Sequence, residues 1–210
     1  MAEVRPRCRL YLQLPAQPMA KLEAQLAKAV TVADPACILL CHDGGPIDEI
    51  HAGRLIDLIQ ARGIACLIEN DAELAERLGA DGLHLTADPE TYMRARALLG
   101  EGASIGVGCG LDRHESMLLA ERGADYVAFG PAAETTIDEI DQCAELIAWW
   151  SEIFVVPCVA WNIDDPADAA RLAALGADFV APSNRIWQEN GALDLIAEID
   201  RAIGQARRAA

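Results

Sequence analysis

Lysine is almost missing from this chain. Lys21 and Lys28, both in one N-terminal amphipathic stretch, are the only lysines among 17 basic residues; the rest are arginines. A Schiff-base lysine, or one held over a phosphate, is therefore excluded unless one of those two reaches the site. Positive charge as a whole is short: 33 acidic residues leave a net charge of −16 over 210 residues. No basic patch able to neutralise many phosphates can be assembled, which excludes nucleic acid and an anionic membrane as partners and argues more weakly against a polyanionic substrate. The seven cysteines (Cys8, Cys37, Cys41, Cys66, Cys109, Cys143 and Cys158) show no CxxC pair and no zinc spacing. They read as reduced thiols of a cytoplasmic protein. No apolar run approaches the length of a membrane span, and MAEVRPRCRL lacks the apolar segment of a signal peptide, so neither is expected.

What is present is a large apolar fraction, 52% of residues, enough for a buried core. It is organised by a phrase that occurs three times, in which a helical run ends in Gly-Ala-Asp and passes at once into an apolar strand. The copies are Gly79-Ala80-Asp81, Gly123-Ala124-Asp125 and Gly176-Ala177-Asp178. Glycine supplies a left-handed helix end and the next two residues turn the chain into a strand. Apolar runs at 9–14, 37–41, 65–69, 82–85, 104–109, 126–130, 154–160 and 179–182 predict eight strands. Helical patterns intervene at about 17–32, 46–62, 71–78, 89–99, 112–122, 136–151, 166–175 and 192–208. Strict alternation with strands apolar on both faces predicts a parallel sheet covered by helices, closing into a small (β/α)8 TIM barrel across residues 1–210 as one domain. An open doubly wound sheet is the alternative, weakened by the lack of GxGxxG after the first strand.

A barrel places its site in the loops after the strands. Asn70, Asp71 and Asp88 follow strands three and four, where the two carboxylates suit a magnesium ion; both aspartates also read as helix N-caps. His42 beside Asp43 suits an acid/base pair, or an ordinary loop histidine before Gly44-Gly45-Pro46. Gly106-Val107-Gly108-Cys109-Gly110 is rich enough in glycine to approach a ligand, with Cys109 as a thiolate candidate, or else relieves crowding at the barrel mouth. Trp161 and Trp187 follow strands seven and eight, where they suit the floor of the mouth, and Arg185 suits a phosphate or carboxylate. His84, inside a strand, reads as a packed residue.

The run Ile68-Glu69-Asn70-Asp71, the phrase Ala80-Asp81-Gly82-Leu83-His84-Leu85, Ile105-Gly106-Val107 and Asp125-Tyr126-Val127-Ala128-Phe129-Gly130-Pro131 resemble thiamine phosphate synthase and its thiazole tautomerase relatives over about 65–183. The resemblance implies a (β/α)8 barrel that joins a pyrimidine diphosphate to a thiazole phosphate, with magnesium and loss of pyrophosphate. It maps the metal onto Asp71 and Asp88 and substrate contacts onto Asn70, Thr135, Thr136, Asn184 and Arg185; Trp161, Asn162, His42 and Cys109 join the substrate-binding candidates from their positions after the strands. Departures from the family pattern are concentrated in the same loops. Leu39-Leu40-Cys41-His42-Asp43 replaces Gln-x-Arg-x-Lys, Trp161-Asn162 replaces a Gly-Gly phosphate turn, and Thr135-Thr136-Ile137-Asp138 lacks the loop lysine. Three functions follow: a synthase with an altered site; a non-catalytic barrel that holds a heteroaromatic ligand between Trp161 and Trp187 or serves a protein partner; and an isomerase or lyase using His42, Asp43 or Cys109. A homo-oligomer is compatible with each.

Overall fold

The computed structural model describes residues 7–16, 22–42, 47–130 and 137–206. Among them, eight parallel strands close into a barrel in sequence order. They are β1 (Arg9–Pro15), β2 (Pro35–Cys41), β3 (Ala65–Glu69), β4 (Gly82–Thr86), β5 (Ser104–Gly110), β6 (Tyr126–Phe129), β7 (Cys158–Trp161) and β8 (Phe179–Ala181). The helices around them are α1 (Leu22–Val32), α2 (Glu49–Gln60), α3 (Ala72–Leu78), α4 (Pro89–Leu99), α5 (Arg113–Glu121), α6 (Ile137–Ile153), α7 (Pro166–Leu175) and α8 (Ala192–Gln205). A short 3-10 turn, Asn184–Gln188, which the sequence pattern does not predict, lies between β8 and α8. No helix among the described residues is long and apolar enough to cross a membrane.

Two apolar layers follow from strand alternation. Leu10, Leu12, Leu14, Ile38, Leu40, Ile68, Leu83, Leu85 and Val107 pack outward against the helices, whereas Tyr11, Leu39, Leu67, Tyr126, Ala128 and Val159 fill the barrel. Helix starts are set by Asp48, Asp71, Asp88, Asp112 and Asp165, whose side chains accept first-turn amide hydrogens.

The Gly-Ala-Asp joints do more than turn the chain. Asp81 accepts the Cys66 N–H at 2.8 Å, Asp125 that of Ile105 at 2.7 Å and Asp178 that of Cys158 at 2.9 Å. The amide of the same aspartate donates back to the carbonyl of the same residue, at 2.8, 3.0 and 3.0 Å respectively. Each joint therefore clamps the N-terminal end of one strand to its neighbour: β3 to β4, β5 to β6, β7 to β8. One expected boundary is wrong. The apolar run at 154–160 enters the sheet only at Cys158, because Phe154 folds back onto Trp150 with centroids 3.9 Å apart and the Trp150 indole N–H donates to the Val156 carbonyl at 2.7 Å. Those contacts hold residues 154–157 off the sheet and override their β-propensity.

Candidate active site

Rings occupy the middle of the barrel, and glycines make room for them. His84, Gly106 and Tyr126 are lateral neighbours on β4, β5 and β6. A Cβ on Gly106 would lie 1.9 Å from the Tyr126 ring, one on Gly108 would lie 3.1 Å from His84 Nε2, and one on Gly130 would lie 2.3 Å from the Trp161 carbonyl oxygen. The glycine-rich strand thus relieves crowding by the protein's own side chains. Tyr11 and Tyr126 hydroxyls are 2.8 Å apart, and the Tyr126 hydroxyl lies 3.0 Å from His84 Nδ1. Burial pushes the imidazole down to about 3, so His84 is neutral at physiological pH, and it pushes both phenols up. Trp161 lies flat on His84, with centroids 4.4 Å apart and planes within 5°, and it meets Tyr11 edge-on at 5.4 Å.

Above this column opens a cavity of about 240 Å³ lined by polar groups: Gln13, His42, Glu69, Asn162, Ser183, Asn184 and Arg185, with Cys41 and Trp161. Gln13 is buried and donates to Asn162 Oδ1 at 3.0 Å and to the Pro182 carbonyl at 3.1 Å. Glu69 Oε2 accepts the His42 amide at 2.7 Å. Ser183 donates its amide and its hydroxyl to Asp164, each at 2.7 Å. A neighbouring cavity of about 340 Å³ shares Asn162 and Arg185 and carries Asp164, Asp165 and Asp168. Asn162, at φ 59°, lines both cavities.

Of the residues expected from sequence, His42, Trp161, Asn162, Asn184 and Arg185 meet at this mouth. Asn70, at φ 51°, ties β3 to β4, its Oδ1 accepting the Thr86 amide at 2.8 Å and its amide donating to Thr86 Oγ1 at 3.3 Å. Asp71 and Asp88 cap α3 and α4, accepting from Leu74 at 2.9 Å and Thr91 at 2.8 Å. Asp43, Thr135 and Thr136 lie outside the described residues. Two expectations are corrected. Cys109 is buried in the helix-facing layer and not at the mouth, and its thiol is pushed up to about 12 by burial, with Glu115 and Asp112 adding to the effect. Trp187 is likewise buried, its indole N–H donating to the Gln13 carbonyl at 2.6 Å, because the 3-10 turn rotates it under the strand ends. Trp187 belongs to the helix-facing layer and Trp161 to the barrel interior, so the two do not face each other as walls of one layer. Sequence reasoning missed Gln13 and Glu69. The signal was present: each is a polar residue in an inward register position of an apolar strand, Gln13 two residues after Tyr11 and Glu69 two after Leu67.

Among the described residues no group of three or more His, Cys, Asp or Glu is gathered for a metal ion. Asp71 and Asp88 nevertheless fit magnesium in kind, since that ion takes one or two carboxylates and completes its shell with water and substrate phosphate. Hydrogen bonds from Thr91 hold the Asp88 carboxyl below its usual range, and therefore ionised.

The chain matches the family model for thiamine monophosphate synthase over residues 49–186. It is 36% identical over 203 residues to thiamine-phosphate synthase of Rhodospirillum centenum, an alignment that covers 93% of this chain and 98% of that one. With the enzyme of Hyphomonas neptunium the identity is 39% over 197 residues, 89% of each chain. The chain belongs to the thiamine phosphate synthase family. Its fold agrees with thiamine phosphate pyrophosphorylase of Pyrococcus furiosus, with a TM-score of 0.77 at 17% identity over 94% of this chain and 96% of that one. Fold likeness extends to a geranylgeranylglyceryl phosphate synthase of Thermoplasma acidophilum, TM-score 0.68 at 13% identity, covering 94% of each chain. Membership of the thiamine phosphate synthase family thus rests on sequence over nearly the whole chain, and the shared barrel by itself does not distinguish chemistries.

Proposed function

We propose that this chain is a thiamine phosphate synthase with an altered anion-binding rim, joining a pyrimidine diphosphate to a thiazole phosphate. The observation that carries the reading is the polar mouth cavity at the C-terminal ends of the strands, in a chain that spans 98% of its Rhodospirillum centenum relative. The reaction ionises a pyrimidine from its diphosphate. It needs groups that orient two rings, exclude water and accept departing negative charge. Arg185 is the guanidinium among the described residues lining the mouth, and it binds phosphate there. Gln13, Asn162 and Asn184 supply amide donors and acceptors to fix a heterocycle, and Glu69 supplies a carboxylate that favours developing positive charge. Asp71 and Asp88 would hold magnesium, which when bound would neutralise part of the diphosphate charge. The protein acts in the cytoplasm on small phosphorylated heterocycles.

Formation of thiamine phosphate from both precursors with magnesium, measured at micromolar protein, tests this reading. Magnesium-dependent turnover is expected, lowered about tenfold or more in Arg185→Ala, a loss of about 1.4 kcal/mol of transition-state stabilisation. Absence of turnover overturns it. A second reading, a heteroaromatic-binding barrel without catalysis, is favoured by one observation: Trp161 lies on His84 in the centre of the mouth. Binding of the pyrimidine or thiazole without turnover supports that second reading instead.

A further inference from the structure

The indole of Trp161 is held as a bound ring would be. One face lies on a neutral imidazole, with centroids 4.4 Å apart and planes 5° from parallel; its edge meets Tyr11 at 5.4 Å. The imidazole is fixed in turn through Tyr126 and Tyr11, whose hydroxyls lie 2.8 Å apart. Gly130 completes the fit, because a Cβ there would come within 2.9 Å of the Trp161 Cβ. The indole stays partly exposed, on the wall of the mouth cavity. That cavity, about 240 Å³, falls under the roughly 300–1,000 Å³ typical of pockets that enclose a whole drug-sized ligand. It adjoins the cavity of about 340 Å³ at Asn162 and Arg185.

We infer that Trp161 determines specificity by filling a ring-sized slot of the ligand site with its own indole. Beside the indole the mouth takes a small heteroaromatic ring, and a ring enters the slot itself only when the indole leaves His84. Removing the indole converts the slot into an aromatic-walled pocket continuous with the mouth, where a small aromatic ring takes the indole's place on His84. The slot stands on geometry alone. Its consequence for turnover rests on the synthase reading above.

Calorimetric titration of the native chain and of Trp161→Ala with indole is the direct test. The variant is expected to bind indole about tenfold more tightly or better, about 1.4 kcal/mol, and equal affinity in the two proteins overturns the slot. If the alanine variant does not fold, Trp161→Phe keeps a smaller ring on His84 and serves the same purpose with 4-aminopyrimidine as probe. It is expected to bind the probe more tightly than the native chain, and unchanged affinity overturns the inference. In the synthase assay Trp161→Phe is expected to lower KM for one ring substrate severalfold while kcat moves less; unchanged KM for both overturns the role in specificity. A native chain without turnover refutes the synthase reading and leaves the binding comparison to decide the slot.

Discussion

The two rims of the barrel are built on different principles. At the N-terminal rim one device is used three times: Asp81, Asp125 and Asp178 each close a two-way backbone clamp on the preceding strand, and Gly79, Gly123 and Gly176 take the positive φ their turns need. At the C-terminal rim aspartate helix caps recur, but the residues that line the cavities do not. Asn70 and Asn162 take the left-handed conformation there beside Gly110, and each asparagine spends its side chain on a different partner, Thr86 in one case and Gln13 in the other. A non-glycine residue at positive φ is uncommon and costs more than glycine, so it persists where its side chain is needed. Repetition at one rim fixes strand order. Individuality at the other leaves eight loop positions free to carry chemistry.

The region between the rims should be the most sensitive. Gly106→Ala drives a Cβ into the Tyr126 ring, so we expect a loss of about 3 kcal/mol in urea unfolding, at the upper end for overpacking. Because the clash is with one side chain, Gly106→Ala combined with Tyr126→Ala should cost less than the sum of the two; simple additivity would show that strain lies in the backbone instead. The N-terminal rim comes next. Asp125→Ala removes the acceptor of the Ile105 amide and of the Arg96 guanidinium, and about 2 kcal/mol of stability should go with it while the affinity for mouth ligands stays unchanged. A comparable loss of ligand affinity would show that the rims are coupled.

This contrast explains what could be read from the chain. The barrel was legible because its signals are local and repeated: a glycine helix end, an Ala-Asp turn, an apolar strand, an aspartate cap. The start of β7 was misread because a local aromatic contact intervened: Phe154 stacks on Trp150, four residues earlier, and delays the strand. The mouth was legible in part. His42, Trp161, Asn162, Asn184 and Arg185 are there because position after a strand suffices to place them. Cys109 and Trp187 were misplaced because which face a residue at a strand end presents depends on a local register shift near Gly110 in one case and a 3-10 turn in the other. Neither has a sequence signature. Gln13 and Glu69 were overlooked because they sit inside strands, where a polar inward residue deserves as much weight as one in a loop.

His84 links the two rims through the ring column, and its protonation should show as a pH dependence. Its folded value of about 3 lies below the usual 6.5 of a histidine, so protons favour the unfolded chain. Its contribution is complete above about pH 6.5 and is lost as pH falls toward 3, with a slope of about 1.4 kcal/mol per pH unit in that window. His84→Gln should remove that slope. Urea unfolding between pH 7 and 4 is the measurement, and identical slopes in the two proteins would mean that His84 gains a compensating partner when charged.

The smallest expected change in stability separates the two readings of Asp71. As a cap it accepts the Leu74 amide, a task that asparagine performs as well as aspartate, so Asp71→Asn should shift unfolding by under about 0.5 kcal/mol. Asp71→Ala, which has no acceptor, should cost about 1 kcal/mol. As a magnesium ligand the same residue needs its charge, which asparagine lacks, so Asp71→Asn should lower magnesium-dependent turnover about a hundredfold, near 2.7 kcal/mol of barrier, with the fold intact. If turnover survives in Asp71→Asn and falls only in Asp71→Ala, the aspartate belongs to the scaffold of α3. Asp71 would then join Asp48, Asp112 and Asp165, aspartates of the same rim whose carboxylates cap helices.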